Sequence, residues 1–363
     1  MINQAIELKE LMTDFQTVIV TSPASVKALK SLHKMYQNRL DWDFSVSGQV
    51  KMNSRFGKNE VENGAVTSLV IDYKSIHNLA PLAGLKKLTK LYLNFNNIDD
   101  LSPLAGLKKL EILYLHGTEV NDLTPLVGLT RLEILGLAET KVRNLIPLAG
   151  LTKLKSLNLM GTKVRNLKPL VGLTKLEVLN LAKTKVSNPK PLARLTKLKS
   201  LNLAWNKVCD LTPLAGLKNL EFLDVMGNRI NDLSLLADLK KLEILILQET
   251  ETSDLSPLAG LTELEILYLK KTKISDLSPL AATTKLRILN LMHNKISDLS
   301  PLADLTKLEI LDIRETKVTD LSPLGGLTKL TELNLGNKKI DRSPLGGLIK
   351  RLKIDGVWGH SKD

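Results

Sequence analysis

The chain has 363 residues, 43% hydrophobic, 25% charged and only 4% aromatic, with 51 Lys+Arg against 38 Asp+Glu. The apolar share excludes bulk disorder, and a single cysteine, Cys209, excludes an intramolecular disulfide framework and a Cys-based zinc site. With thirteen aromatic residues in the chain, aliphatic side chains must build nearly the whole core.

Met1 to Ser22 contains Glu7, Lys9, Glu10 and Asp14, and its longest apolar run is Val18-Ile19-Val20. A secretory peptide is therefore not expected, and no window approaches the ~20 apolar residues that span a bilayer. The expected location is cytoplasmic, or outside the cell by export without a classical signal peptide. Ser22-Pro23 predicts a helix start, and Val26, Leu29, Leu32, Met35 and Tyr36 follow at helical spacing to about Leu40. Trp42, Phe44, Val46 and Val50, followed by the Gly/Asn/Ser-rich stretch Asn53 to Gly64, predict a hairpin. Residues 1–65 read as an amino-terminal cap of helix plus hairpin, with a strand starting at Ala65-Val66-Thr67-Ser68-Leu69.

From there the prolines set the organisation. Pro81, Pro103, Pro125, Pro147, Pro169, Pro191 and Pro213 are each 22 residues apart, Leu235 takes the next place, and Pro257, Pro279, Pro301 and Pro323 resume the series. A fixed period in this range predicts a solenoid. In the repeat Leu286 to Lys307, Leu289 and Leu291 face one side and Ile288, Asn290 and Met292 the other, the alternation of a half-buried strand. Seven slots of each repeat (first, fourth, sixth, eleventh, fourteenth, seventeenth and twentieth) are apolar and point inward. The ninth, Asn294 here, can satisfy backbone groups where the chain leaves the strand. The proline forbids a long helix on the return arm, so a short 3₁₀ or irregular segment is expected there.

This spacing matches the leucine-rich repeat pattern L-x-x-L-x-L-x-x-N-x-L. With the tail I-x-D-L-S-P-L-x-x-L-T, the array resembles bacterial internalin repeat domains and is similar to the repeat regulator of protein phosphatase 1. The resemblance covers thirteen repeats from about Val66 to Leu348 and implies an α/β solenoid, a leucine-rich repeat horseshoe with parallel strands on its concave face. The immunoglobulin-like domain and wall anchor of internalins are not expected here. The helix, tryptophan and strand of the first 65 residues also resemble the cap of plant repeat receptors, without its cysteines.

Pro189, Thr252 and Thr283 replace aliphatic residues of the pattern, and each is expected to loosen one coil. The ninth slot is Asn at Asn96, Asn206, Asn228 and Asn294, and Thr in seven repeats such as Thr118, Thr140 and Thr162; a hydroxyl bonds backbone with less capacity than an amide. After Leu348, the segment Lys350 to Trp358 reads as a degraded last turn with Trp358 covering the end, so residues 349–363 form a carboxy-terminal cap and tail.

The second, third, fifth, seventh and eighth slots are expected to face solvent on the concave side, in columns ~4.8 Å apart. All seven aromatics between Val66 and Ile340 occupy such slots, and rings exposed on a rigid surface serve as interface anchors. Tyr73, Tyr92, Phe95 and Tyr114, with His116 beside them, form the densest group. A second joins Trp205, Phe222 and Met226. A third gathers Tyr268, Lys270, Lys271, Met292, His293 and Arg314. The competing structural explanation is that rings favour strands and pack along the ladder.

Residues 1–65 hold eight basic and seven acidic residues, so the charge excess belongs to the repeats. The tenth slot is basic in nine of thirteen repeats, from Lys141 to Lys339. Duplication alone makes such a stripe, and a solvated face explains it; an acidic partner or nucleic acid is the alternative. The five histidines show no metal-ligand spacing, Phe56-Gly57-Lys58 lacks phosphate-loop spacing, and Cys209 reads as incidental. The carboxylates Asp276, Asp298 and Asp320 recur at the thirteenth slot, where Asp caps turn N–H groups. The sequence thus predicts a monomeric protein-binding scaffold with no cofactor and no chemistry of its own. Nucleic acid and membrane insertion are not expected.

Overall fold

The computed structural model describes residues 16–36, 42–43, 50–54 and 59–354. The chain divides into two compact parts, Met1–Leu176 and Glu177–Asp363. The first opens with strand β1 (Gln16–Val20) and helix α1 (Pro23–Met35), followed by β2 (Trp42–Asp43) and β3 (Val50–Ser54). β3 pairs antiparallel with both β1 and β2. The helix starts at the proline as the sequence predicts, although the Ser22 side chain makes no capping bond. It stops at Met35, short of Leu40, because the Tyr36 backbone leaves the helical region at φ −122°. Its hydroxyl instead accepts the N–H groups of His77 and Asn78, at 3.1 and 2.7 Å, in the first repeat. The Ser25 hydroxyl accepts from Val66 N–H at 3.3 Å, so the helix is seated against the repeats at both ends. The expected hairpin at 41–65 is only in part a hairpin: β4 (Glu60–Glu62) pairs antiparallel with β5 (Ala65–Val70), while Trp42 belongs to the separate sheet with β1. Leu40, Phe44, Val46 and the Phe56-Gly57-Lys58 step lie outside the described residues.

From the second repeat on, each contributes one three-residue strand, shorter than the seven residues that alternate in sequence. In the first part β5, β6 (Lys90–Tyr92), β7 (Ile112–Tyr114), β8 (Ile134–Gly136) and β9 (Ser156–Asn158) pair in parallel, with Leu91, Leu113, Leu135 and Leu157 in register. In the second part the same ladder runs from β10 (Val178–Asn180) to β18 (Lys353–Ile354), with Leu179, Leu201, Leu223 and their successors opposite one another. These leucines are at most 1% exposed, and each contributes roughly 1.5–3 kcal/mol by leaving water.

The return arms hold 3₁₀ turns such as Ser102–Leu104 and Ser300–Leu302, with proline in the first turn. Each is entered through an Asx turn: Asp298 Oδ1 accepts from Ser300 N–H at 2.8 Å, and Asp276 Oδ1 from both N–H and hydroxyl of Ser278, at 2.8 and 2.7 Å. The hydroxyl and N–H of Ser278 hold the Asp276 carboxyl below its ordinary value. The thirteenth-slot carboxylates thus end a turn.

The three departures from the pattern leave the coil intact. Pro189 is buried, and its carbonyl accepts from Leu192 N–H at 2.8 Å, closing the same turn. Thr252 and Thr283 are fully buried, but their hydroxyls donate to Ile230 O at 3.3 Å and Leu280 O at 2.6 Å. Trp358 lies outside the described residues, and among these no helix is long and apolar enough to cross a membrane.

Candidate functional site: ring rows and a buried carboxylate on the strand face

The eighth slot shapes the strand face. In twelve of the thirteen repeats its backbone is left-handed, with φ from +53° to +72°. Glycine adopts this conformation without cost, and Gly117, Gly161 and Gly227 take the position in three repeats. Tyr73, Phe95 and Trp205 adopt it at φ 57°, 55° and 55°. A bulky residue there is an outlier whose strain the surroundings must sustain. Their rings are also the most exposed of the face, at 69%, 43% and 43%.

In the first part the rings form two rows. Tyr73 stacks on Phe95 with centroids 4.5 Å apart and planes 15° from parallel. Tyr92 stacks on Tyr114 at 5.3 Å and 12°, and His116 meets Tyr114 edge-on at 5.3 Å and 77°. Both rows end on a glycine. A Cβ at Gly117 would stand 2.5 Å from Phe95 Cδ1, and one at Gly136 would strike Tyr114 Cδ1 and His116 Nε2. Burial lowers the His116 imidazole to about 4, so it is neutral at neutral pH and packs edge-on as the third ring of the row. Gly136→Ala should therefore push Tyr114 and His116 out of place and lower stability by about 1–3 kcal/mol, read as a drop in the urea midpoint at unchanged slope.

The second part brings together less of what the sequence grouped. The Trp205 ring lies over Gly227, whose Cβ would stand 2.5 Å from Cε3. Phe222 and Met226 share one face of the strand through Phe222–Asp224, but no ring contact joins Phe222 to Trp205. Tyr268 is half-buried, which raises its hydroxyl pKa. Lys270 and Met292 are half-buried in the same column, with Lys271 ion-paired to Glu249 at 3.3 Å. His293 pairs with Glu315, and Arg314 is engaged by Asp312 with Nη2 2.6 Å from Oδ2.

The fifth slot corrects the expectation of an open solvent column. Asp224, Asn290, Asp312 and Asn334 are 8%, 5%, 0% and 0% exposed, because neighbouring side chains of the column cover one another. Asn202 Nδ2 donates to Asp224 Oδ2 at 3.0 Å, and Met226 N–H to Oδ1 at 3.0 Å. Burial nevertheless raises the Asp224 carboxyl to about 6, against the pull of those two bonds. Sequence reasoning passed over Asp224 and the glycines that seat the rings. The recurrence of glycine at the eighth slot is the signal that would have revealed the left-handed turn.

The charge columns are partly neutralised along the 22-residue period. Lys155 pairs with Glu133 at 2.7 Å, Lys199 with Glu177 at 3.0 Å and Lys285 with Glu263 at 2.6 Å. At the tenth slot Lys141 and Lys273 pair with Glu119 and Glu251; the other seven cations of that stripe make no ion pair among the described residues.

Models of leucine-rich repeats match residues 86–128, 262–304, 284–326 and 306–349, and a second leucine-rich repeat model matches 194–210 and 216–237. An internalin (InlF) of Listeria monocytogenes has a similar solved structure, at TM-score 0.78 and 31% identity over 93% of this chain and 98% of that one. Internalin C2 of the same organism matches at TM-score 0.50 and 37% identity over 51% of this chain and 82% of its own. A leucine-rich repeat protein of Leptospira interrogans shares the fold, at TM-score 0.61 and 22% identity over 90% and 98%. No curated protein sequence matches the chain. The chain belongs to the leucine-rich repeat family, and within it resembles the internalin repeat domains.

Proposed function

We propose that this protein is an interaction scaffold that holds a protein partner on the strand face, with the rows Tyr73–Phe95 and Tyr92–Tyr114–His116 as the principal contact and Trp205 as a second anchor. Proteins of this repeat family commonly bind other proteins and are typically not enzymes. The observation that carries the reading is the pair of stacked, exposed rings at the eighth slot. Tyr73 and Phe95 stand at the left-handed position that glycine, glutamate, lysine or histidine holds in other repeats, and the rings they place there are stacked and exposed. Large rings pre-positioned on a rigid sheet add contact area at little further entropy cost. In the third group, Tyr268, Lys270, Met292, His293 and Arg314 contribute at the edge, His293 and Arg314 being already engaged by Glu315 and Asp312. Residues 1–65 serve as the cap that covers the first repeat.

A second reading, in which a polyanion binds along the tenth-slot cations, is favoured by the seven of them that make no ion pair among the described residues. Affinity capture from lysate, with and without nuclease, separates the two. A protein partner that survives nuclease and is lost by Tyr92→Ala with Tyr114→Ala, at unchanged circular dichroism, supports the ring rows. Capture that nuclease abolishes and those substitutions spare supports the stripe.

A further inference from the structure

Two repeats carry the same buried frame around a carboxylate, and the frame differs at the seventh slot. Asp224 and Asp312 both stand at the fifth slot, four repeats apart. Each Oδ1 accepts from the N–H two residues on: Met226 N–H at 3.0 Å and Arg314 N–H at 3.1 Å. Each Oδ2 faces the amide of an asparagine one repeat earlier: Asn202 at 3.0 Å and Asn290 at 3.4 Å. At Asp312 the frame is completed by the seventh slot. Arg314 Nε lies 3.0 and 3.2 Å from the two carboxylate oxygens and its Nη2 2.6 Å from Oδ2, and Asp312 is sealed to 0% exposure. At Asp224 the seventh slot is Met226. No cation pairs with this carboxylate among the described residues, and it keeps 8% exposure.

The surroundings of Asp224 are those of a binding hot spot. Phe222 and Met226 flank the carboxylate on the same face of the strand, and the Trp205 ring, 43% exposed, lies over Gly227 just beyond Met226. A charge ringed by apolar side chains is where a fully desolvated ion pair is worth most in an interface. Methionine can move aside for an incoming group. A guanidinium fits better than an ammonium, because its planar fork can take the oxygens as Arg314 does and its face can stack on tryptophan.

We propose that Asp224 anchors an arginine side chain supplied by a bound protein segment, which completes from outside the arrangement that Arg314 completes from inside at Asp312. This rests on the reading of the strand face as a protein-binding surface, and it adds the chemistry of one contact.

The test titrates the full chain with acetyl-Gly-Arg-Gly-amide and follows the Trp205 indole N–H by NMR, the resonance being assigned by its loss in Trp205→Phe. The arginine peptide should give a saturable shift, and the citrulline analogue, equal in shape but uncharged, should bind at least ~10-fold more weakly. Asp224→Asn and Met226→Arg should both abolish the response, the second by filling the carboxylate from within. An equal response to citrulline, or a response that survives Met226→Arg, overturns the proposal. The probe reads Asp224 alone. Loss of the arginine response in a protein that still holds its partner through Tyr92 and Tyr114 would remove this contact only. An arginine response in a protein whose ring rows bind nothing would leave it standing without them.

Discussion

Asn96→Ala should cost about 3–5 kcal/mol. Asn96 is 1% exposed and joins two repeats by its amide alone. Its Oδ1 accepts from Lys74 N–H at 3.0 Å and Ile76 N–H at 2.9 Å, and its Nδ2 donates to Ile71 O at 2.7 Å and Leu93 O at 2.9 Å. Alanine leaves buried backbone groups on both sides without partners, each worth about 1–3 kcal/mol when it stays dry. Seven repeats use threonine in this slot, and Thr118 makes a single bond there, to Leu115 O at 2.7 Å. Asn96→Thr should therefore recover about half of the loss. Urea unfolding gives the total, and hydrogen exchange at Ile76 N–H locates it: protection there should collapse in the alanine variant while that of Leu157 N–H is kept.

Asp224→Asn should do the opposite and stabilise the protein by about 2–3 kcal/mol at neutral pH. Asparagine is the residue that neighbouring repeats place in the slot, at Asn180 and Asn202. The aspartate pays for its charge: its carboxyl stands at about 6 when folded, above the ordinary value of about 3.9 when unfolded. For an acid raised in this way, the cost is absent below about pH 4, grows as pH rises toward 6 and is complete above it. The stabilising effect of Asn should thus follow the same course, near zero at pH 4 and full at pH 7. Thermal unfolding across that range checks it. A flat difference would mean that the carboxylate is not strained by burial. A residue that lowers stability where a neutral one fits is the pattern expected of a group kept for binding.

Most of the fold was legible in the sequence because the repeat writes each constraint thirteen times. The proline lattice located the return arms, and the leucine spacing located the core. The end of α1 was less legible, since the Tyr36 hydroxyl trades helix for backbone groups of the first repeat that lie 41 residues away. Nor could the strand Gln16–Val20 be read, because its partner Val50–Ser54 is distant in sequence and the pairing is antiparallel. On the strand face the sequence located the rings but treated every outward slot as open. Alternation says which side a residue takes, not how far its neighbours cover it. That is why Tyr73 and Phe95 stay exposed at the turn, whereas on the same face Asp224 is largely covered and Asp312 is sealed.

The central claim is that the ring rows, and not the charge stripe, carry partner binding. The most direct measurement is the affinity of the captured partner for Tyr92→Ala/Tyr114→Ala beside Lys185→Glu/Lys207→Glu, at low and high salt. The ring variant should lose at least ~100-fold, with a shallow salt dependence in the native chain, as expected when buried aromatic anchors dominate. The lysine variant should change affinity by only a few-fold. Steep loss of native binding with salt, together with an intact response in the ring variant and loss in the lysine variant, would contradict the account.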